Sequence, residues 1–217
     1  GKNWFLKYYQ KRDQMPEQEK LCADIVYARL LETPNEEIKY LKLLVGYDDE
    51  MPVPHSYLGG AYLTLGLYDL AITEYEKELE IYKKWDSKPR WSLSYTALGN
   101  AYHKMGMYEK EKELYWKAEQ DFPDDPEIIV YQSALSFTLE DTVKAKQYIE
   151  KYLTISKKNS VSDSTIRTGL VWIYTEGGAL DKAEAIIREA LSFEPENPDR
   201  LNNLAYFLID KDRNINE

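Results

Sequence analysis

Cys22 is the single cysteine among 217 residues, which excludes an internal disulfide and any thiolate cluster around zinc. Glycine and proline are sparse as well, 10 and 9 residues, too little punctuation for the many turns of an all-β fold. Only two histidines occur, His55 and His103, and no His-Glu-x-x-His spacing offers a metal site. No apolar run approaches the roughly 20 residues a membrane-spanning helix needs. The chain opens Gly1-Lys2 with neither an initiating Met nor a signal sequence. We read this as a trimmed start: a removed export signal is expected, with the cytoplasm as the other location. Basic residues are in deficit, 28 against 38 acidic, for a net charge of −10. Such a chain repels phosphate backbones and anionic lipid at long range, which disfavours nucleic acids and membrane surfaces as partners.

What is present describes a soluble folded chain, 43% hydrophobic and 30% charged. Tyrosine is abundant, 19 residues, and suits surfaces half packed and half wet, because the ring buries while the hydroxyl finds water or a partner.

Self-comparison reveals a repeat. His55-Ser-Tyr-Leu58-Gly59-Gly-Ala-Tyr62 aligns with Tyr95-Thr-Ala-Leu98-Gly99-Asn-Ala-Tyr102, and Leu65-Gly66-Leu67-Tyr68 with Met105-Gly106-Met107-Tyr108. A second amphipathic run follows each, carrying Ala71 and Tyr75 in one and Leu114, Tyr115 and Ala118 in the other, with Pro123 closing the second. Weaker units carry Ile129, Gln132, Ser133, Ser136, Ala145 and Ile149, then Leu170, Val171, Tyr174, Ala183, Ile187, Ala190 and Pro195, then Leu201-Asn-Asn-Leu204-Ala205-Tyr-Phe-Leu208. The small-residue positions Gly59, Gly99, Ser133, Val171 and Ala205 are spaced by 40, 34, 38 and 34 residues. The two longer steps place insertions in polar loops, at Lys83-Lys84-Trp85-Asp86-Ser87-Lys88-Pro89 and Lys157-Lys158-Asn159-Ser160-Val161-Ser162. Small side chains at Gly59, Gly99, Ala71, Ala145 and Ala183 are expected to let paired helices approach, with Leu58, Tyr62, Leu98, Tyr102 and Tyr174 filling the rest of the same face. Asp125-Pro126-Glu127 and Asn197-Pro198-Asp199 each read as a cap, a proline at the first helical position and an acid facing the helix dipole.

These residues resemble the tetratricopeptide repeat, whose pattern is an aromatic, Leu-Gly, Tyr, later Ala and an aromatic, and a closing Pro. The resemblance implies an all-α, right-handed α-solenoid of antiparallel helix hairpins. We expect residues 1–51 to form a degenerate hairpin cap, with helices from Pro16 to Glu32 and from Pro34 to Val45 and a further helix within 1–15. Residues 52–217 then hold repeats at about 52–91, 92–125, 126–163, 164–197 and a truncated 198–217. After Asp210 a second helix should begin, so the native protein is expected to continue beyond Glu217.

Signals for chemistry are weak. Glu74, Glu76, Glu78 and Glu80 alternate along one run, and Glu109, Glu111 and Glu113 stand beside Lys110 and Lys112, the pattern of a solvated helix face. Cys22 is read as a packing residue on an apolar face, and His55 as buried. Gly59-Gly60 and Gly177-Gly178 lack the Lys-Ser/Thr of a phosphate loop. No catalytic group, metal or cofactor is expected. In the resembled family the first helices of successive hairpins line a concave face that holds a peptide or protein partner. By position that face includes Thr96, Asn100, His103, Lys104, Phe137, Trp172, Thr175, Glu176, Asn202 and Tyr206, with His103 turned to a ligand. The family's clamp for a chaperone carboxylate is not matched, since Asn100 is accompanied by Thr96 and Tyr131. The expected function is a non-catalytic adaptor or assembly factor; the alternative is a helical accessory segment of a larger enzyme or sensor.

Overall fold

The computed structural model describes residues 2–193 and 195–210. Among these there are twelve α-helices and no strand, so the all-α hairpin fold expected from the sequence is the fold observed. The chain divides into two compact units, Gly1–Asp121 and Phe122–Glu217.

The first unit holds α1 (Lys2–Tyr9), a 3-10 turn (Arg12–Gln14), α2 (Glu17–Leu31), α3 (Pro34–Tyr47), α4 (Pro52–Thr64), α5 (Tyr68–Lys84), α6 (Leu93–Lys104) and α7 (Tyr108–Asp121). Helices pack on their chain neighbours, α2 on α3, α4 on α5 and α6 on α7. Proline sets the first turn of α3 and α4, and the Thr33 side chain accepts from the Glu36 amide to cap α3. Two of the first helices, α4 and α6, end in a tight turn. Gly66 and Gly106 take φ of 69° and 68°, and the amides of Leu67 and Met107 bond back to the carbonyls of Tyr62 and Tyr102 at 2.9 Å. That left-handed backbone suits glycine and explains the repeated Leu-Gly-Leu and Met-Gly-Met.

The core of this unit runs through Ile25, Ile38, Leu41, Leu58, Tyr62, Ala71, Tyr75, Leu98, Ala101 and Tyr102. Gly59 lies under the ring of Tyr75, where an added Cβ would come within 2.8 Å of Cε2, and Gly99 lies closer still under Tyr115. The small residues thus admit a tyrosine from the second helix, as expected for close approach. On α1, the Tyr9 ring stacks on Tyr27 at 4.2 Å and its hydroxyl donates to Asp24 at 2.8 Å, while Arg12 ion-pairs with the same carboxylate. These contacts fasten α1 to α2.

The second unit holds α8 (Pro126–Thr138), α9 (Thr142–Lys158), α10 (Asp163–Glu176), α11 (Leu180–Phe193) and α12 (Pro198–Asp210). The Asp125 carboxylate accepts from the amides of Glu127 and Ile128, and Asp141 and Ser162 cap α9 and α10 in the same manner. Ile129, Ala145, Ile149, Tyr152, Ile166 and Ile173 form one cluster, and Ala183, Phe207 and Leu208 a smaller one. Gly169 faces the hydroxyl of Tyr152, a further case of tyrosine seated on glycine. In the α8–α9 turn the left-handed position falls to Glu140, with φ of 59°.

Three expectations need correction or placement. The two longer repeat steps are partly absorbed by helix: α5 and α9 have 17 residues each against 14 in α7 and α11. The connection 159–162 is therefore an ordinary four residues, and only 85–92 is a lengthened loop. Cys22 is exposed, not packed, because α2 turns Leu21, Ile25 and Ala28 inward and leaves it on the outer face. The segment 211–217, where continuation was expected, lies outside the described residues.

The glycine contacts give a test. Ala for Gly in a helix ordinarily gains about 1 kcal/mol, yet Gly99→Ala is expected to lose about 1–3 kcal/mol through overpacking against Tyr115. Gly46→Ala, at a site with nothing within 4 Å, serves as the control and should gain. Thermal unfolding reads both, and an equal gain from the two would remove the close-approach account.

Candidate functional site

The ten residues expected on the partner face divide by exposure. Thr96 is 1% exposed, with its hydroxyl donating to the Leu93 carbonyl at 3.2 Å, and Phe137 is 9% exposed, its ring 5.3 Å from that of Tyr174. Both are interior side chains and present no surface to a partner. His103, expected to face a ligand, is half-buried, with its Nδ1 2.9 Å from Glu111 Oε2 on α7 and its ring edge-on to Tyr108 at 5.4 Å. Asn100 is half-buried one turn before the exposed Lys104 at the end of α6.

In the second unit Trp172 of α10 is half-buried, tilted against Tyr131 of α8 with ring centroids 4.4 Å apart. Burial, reinforced by the carboxylates of Glu127 and Glu176, pushes the Tyr131 hydroxyl up to about 12. The pair is thus an aromatic patch in a negative field. Thr175 and Glu176 follow on the same helix, half-buried, and the Thr175 hydroxyl is enclosed with no hydrogen-bond partner. Asn202 and Tyr206 project from α12, with Tyr206 67% exposed.

Buried ionisable groups were missed on the second helices of the first unit. Glu78 on α5 is 3% exposed, accepts from Ser94 Oγ of α6 at 2.7 Å, and leaves its other oxygen enclosed without a partner. Burial pushes its pKa up to about 7, against the opposing hydrogen bond from Ser94. Glu111 on α7 is as deeply buried, and burial raises its pKa although His103 bonds to it. The alternating glutamates and lysines concealed this. The signal was in the register: the 40-residue step that aligns Gly59 with Gly99 also aligns Glu111 with Ala71 and Glu78 with Ala118. Two carboxylates stand where the sister hairpin keeps alanine. His55 is buried as expected, with Nδ1 2.6 Å from Glu74 Oε2 and Nε2 3.0 Å from the Asp49 carbonyl. Both neighbours are acceptors, so the geometry favours the doubly protonated ring, and the Glu74 bond raises its pKa.

Chemically, a carboxyl near neutrality is a competent general base only if a substrate reaches it. Glu78 is sealed in the interior, with Ser94 of α6 bonded to it. Among the described residues, no group of three or more His, Cys, Asp or Glu side chains converges on a metal position, and no helix is long and apolar enough to cross a membrane.

These groups make stability depend on pH. A carboxyl whose folded pKa is raised contributes stability below its unfolded value of 4.5 and loses it as pH rises through about 7. The raised imidazole of His55 contributes below 6.5 and loses it as pH climbs through its higher folded value. Both act in one direction, so the unfolding midpoint should fall as pH rises from about 4.5 through about 7. Glu78→Gln should raise stability at the alkaline end by roughly 2–3 kcal/mol and flatten the profile; a variant equally destabilised at both ends would contradict this ionisation.

Residues 50–122 match the family model of the tetratricopeptide repeat. A curated relative, the outer dynein arm-docking complex subunit 4 of Danio rerio, is 35% identical over 63 residues, which are 29% of this chain and 13% of that protein. Three crystal structures share the fold at low identity. In the APC/C hetero-tetramer Cut9–Hcn1 the match covers 97% of this chain and 40% of the other, with a TM-score of 0.65 and 18% identity. The type IV pilus biogenesis factor PilW matches over 87% of this chain and 83% of its own at a TM-score of 0.63 and 11% identity. A thermophilic tetratricopeptide repeat protein of Thermus thermophilus covers 88% and 99% at 0.60 and 19%. The chain thus carries tetratricopeptide repeat sequence over residues 50–122 and shares its fold with these structures.

Proposed function

We propose that this chain is a non-catalytic protein-interaction module, an adaptor or assembly factor, that binds a peptide or protein segment on its first-helix surfaces. The observation that carries the reading is the half-open Trp172–Tyr131 pair on α10 and α8, in the unit where α12 exposes Asn202 and Tyr206. Trp and Tyr dominate binding hot spots because they bury much area at little entropic cost. Asn100 and Lys104 provide a separate polar surface on α6 of the first unit. Thr96 and Phe137, being interior, support these surfaces from beneath. Glu127 and Glu176 beside the aromatic pair favour a segment that brings a basic residue there. The match to a family whose folds are generally interaction modules supports the same reading.

A second reading is a helical accessory segment of a larger enzyme or sensor. The two differ in whether the isolated chain binds. Segments selected from a random peptide library on the immobilised chain should include a class that weakens at least about tenfold with Trp172→Ala combined with Tyr206→Ala, without loss of fold. A selection that yields no peptide weakened by those substitutions would remove the proposed surface.

A further inference from the structure

The connection 85–92 between α5 and α6 is eight residues long, whereas 48–51, 122–125 and 159–162 are four each. In repeat proteins such insertions gather on one face and commonly carry contacts. This one reads Trp85-Asp-Ser-Lys88-Pro89-Arg90-Trp91-Ser92. It is held in place rather than loose. Pro89 and Ser92 are buried, the Ser87 amide donates to the Tyr82 carbonyl at 2.9 Å, and Lys88 Nζ donates to the Asp121 carbonyl at the end of α7. From this anchored base the large apolar side chains point outward: Trp85 is 54% exposed, Trp91 65% and Leu93, the first residue of α6, 59%. The Arg90 guanidinium lies over the Trp91 ring at 4.8 Å, and no carboxylate pairs with it among the described residues.

We infer that the loop 85–92, with Arg90, Trp91 and Leu93 as its contacts, is a second docking surface that takes an acidic segment of a partner protein with an apolar side chain beside its carboxylate. Arg90 offers a planar fork that meets a carboxylate with two parallel hydrogen bonds, and its guanidinium already rests over the Trp91 ring. Trp91 and Leu93 then cover the neighbouring apolar side chain. The loop is preformed, so binding orders little that is not already ordered.

Charge decides against a lipid surface as occupant. Of the four cations between 83 and 90, Lys84 is ion-paired with Glu50 and Glu80, and Lys88 is committed to the Asp121 carbonyl. Lys83 and Arg90 remain, worth about 1 kcal/mol each at an anionic membrane, against the repulsion of a chain of net charge −10. A single peptide carboxylate needs only the one fork. This surface is distinct from the first-helix faces, so either can fail alone.

The test uses the full chain. Peptides selected from a random library are expected to include an acidic-apolar class whose affinity, measured by fluorescence polarisation, falls at least about tenfold with Arg90→Glu and with Trp91→Ala. Arg90→Lys should recover part of it, and the same peptides should be indifferent to Trp172→Ala. All three loop variants should keep the unfolding midpoint, since these side chains are exposed. Absence of an acidic class, or acidic peptides that bind the variants undiminished, overturns the inference. So does flotation with vesicles of phosphatidylcholine and phosphatidylserine that is lost in Trp91→Ala, which would assign the loop to lipid.

Discussion

A tyrosine ring resting on a glycine is the contact on which the first unit depends. Tyr75 lies over Gly59 and Tyr115 over Gly99, each joining the two helices of a hairpin where no Cβ intervenes. With the axes so close, Leu58 and Leu98, Ala61 and Ala101, and Tyr62 and Tyr102 reach the same buried layer. One hairpin leaves half of that layer uncovered, and the next covers it, which is how repeat stacks accumulate stability. Gly169 under Tyr152 applies the same device between α9 and α10 of the second unit.

Close approach also explains the polar groups sealed inside. Glu78 and Glu111 occupy positions that their sister hairpins give to alanine, and a carboxylate there has no route to water. Each is answered from α6, Glu78 by Ser94 and Glu111 by His103. The desolvation of Glu78 exceeds what a hydroxyl returns, so its proton is retained toward neutrality. His55, bridged between Glu74 and the Asp49 carbonyl, retains its proton for the opposite reason, two acceptors at one ring. The repeat is thereby less uniform energetically than its helices look.

The outer surface follows from the same register. Residues that face the partner helix are claimed by the core, and Thr96 and Phe137 belong to that set despite their place in the first helices. Trp172 is half claimed, leaning on Tyr131 while keeping one side open. The lengthened loop at 85–92 lies outside the helical register and leaves Trp85 and Trp91 more than half exposed.

By itself the sequence determined the hairpins. The Leu-Gly and Ala-Tyr recurrences at 40 residues, the Gly66 and Gly106 turns and the Asp125-Pro126 cap are local or periodic signals. Each fixes backbone geometry through steric rules that act within a few residues. Solvent access was decided only by the tertiary structure. Cys22 on the outer face, His103 turned to Glu111, Glu78 and Glu111 sealed among lysine-flanked neighbours, and Phe137 drawn inward all depend on which helix lies opposite. Helical periodicity names a face but not what covers it, and a flexible side chain near the edge of a face goes wherever its nearest partner across the gap happens to be.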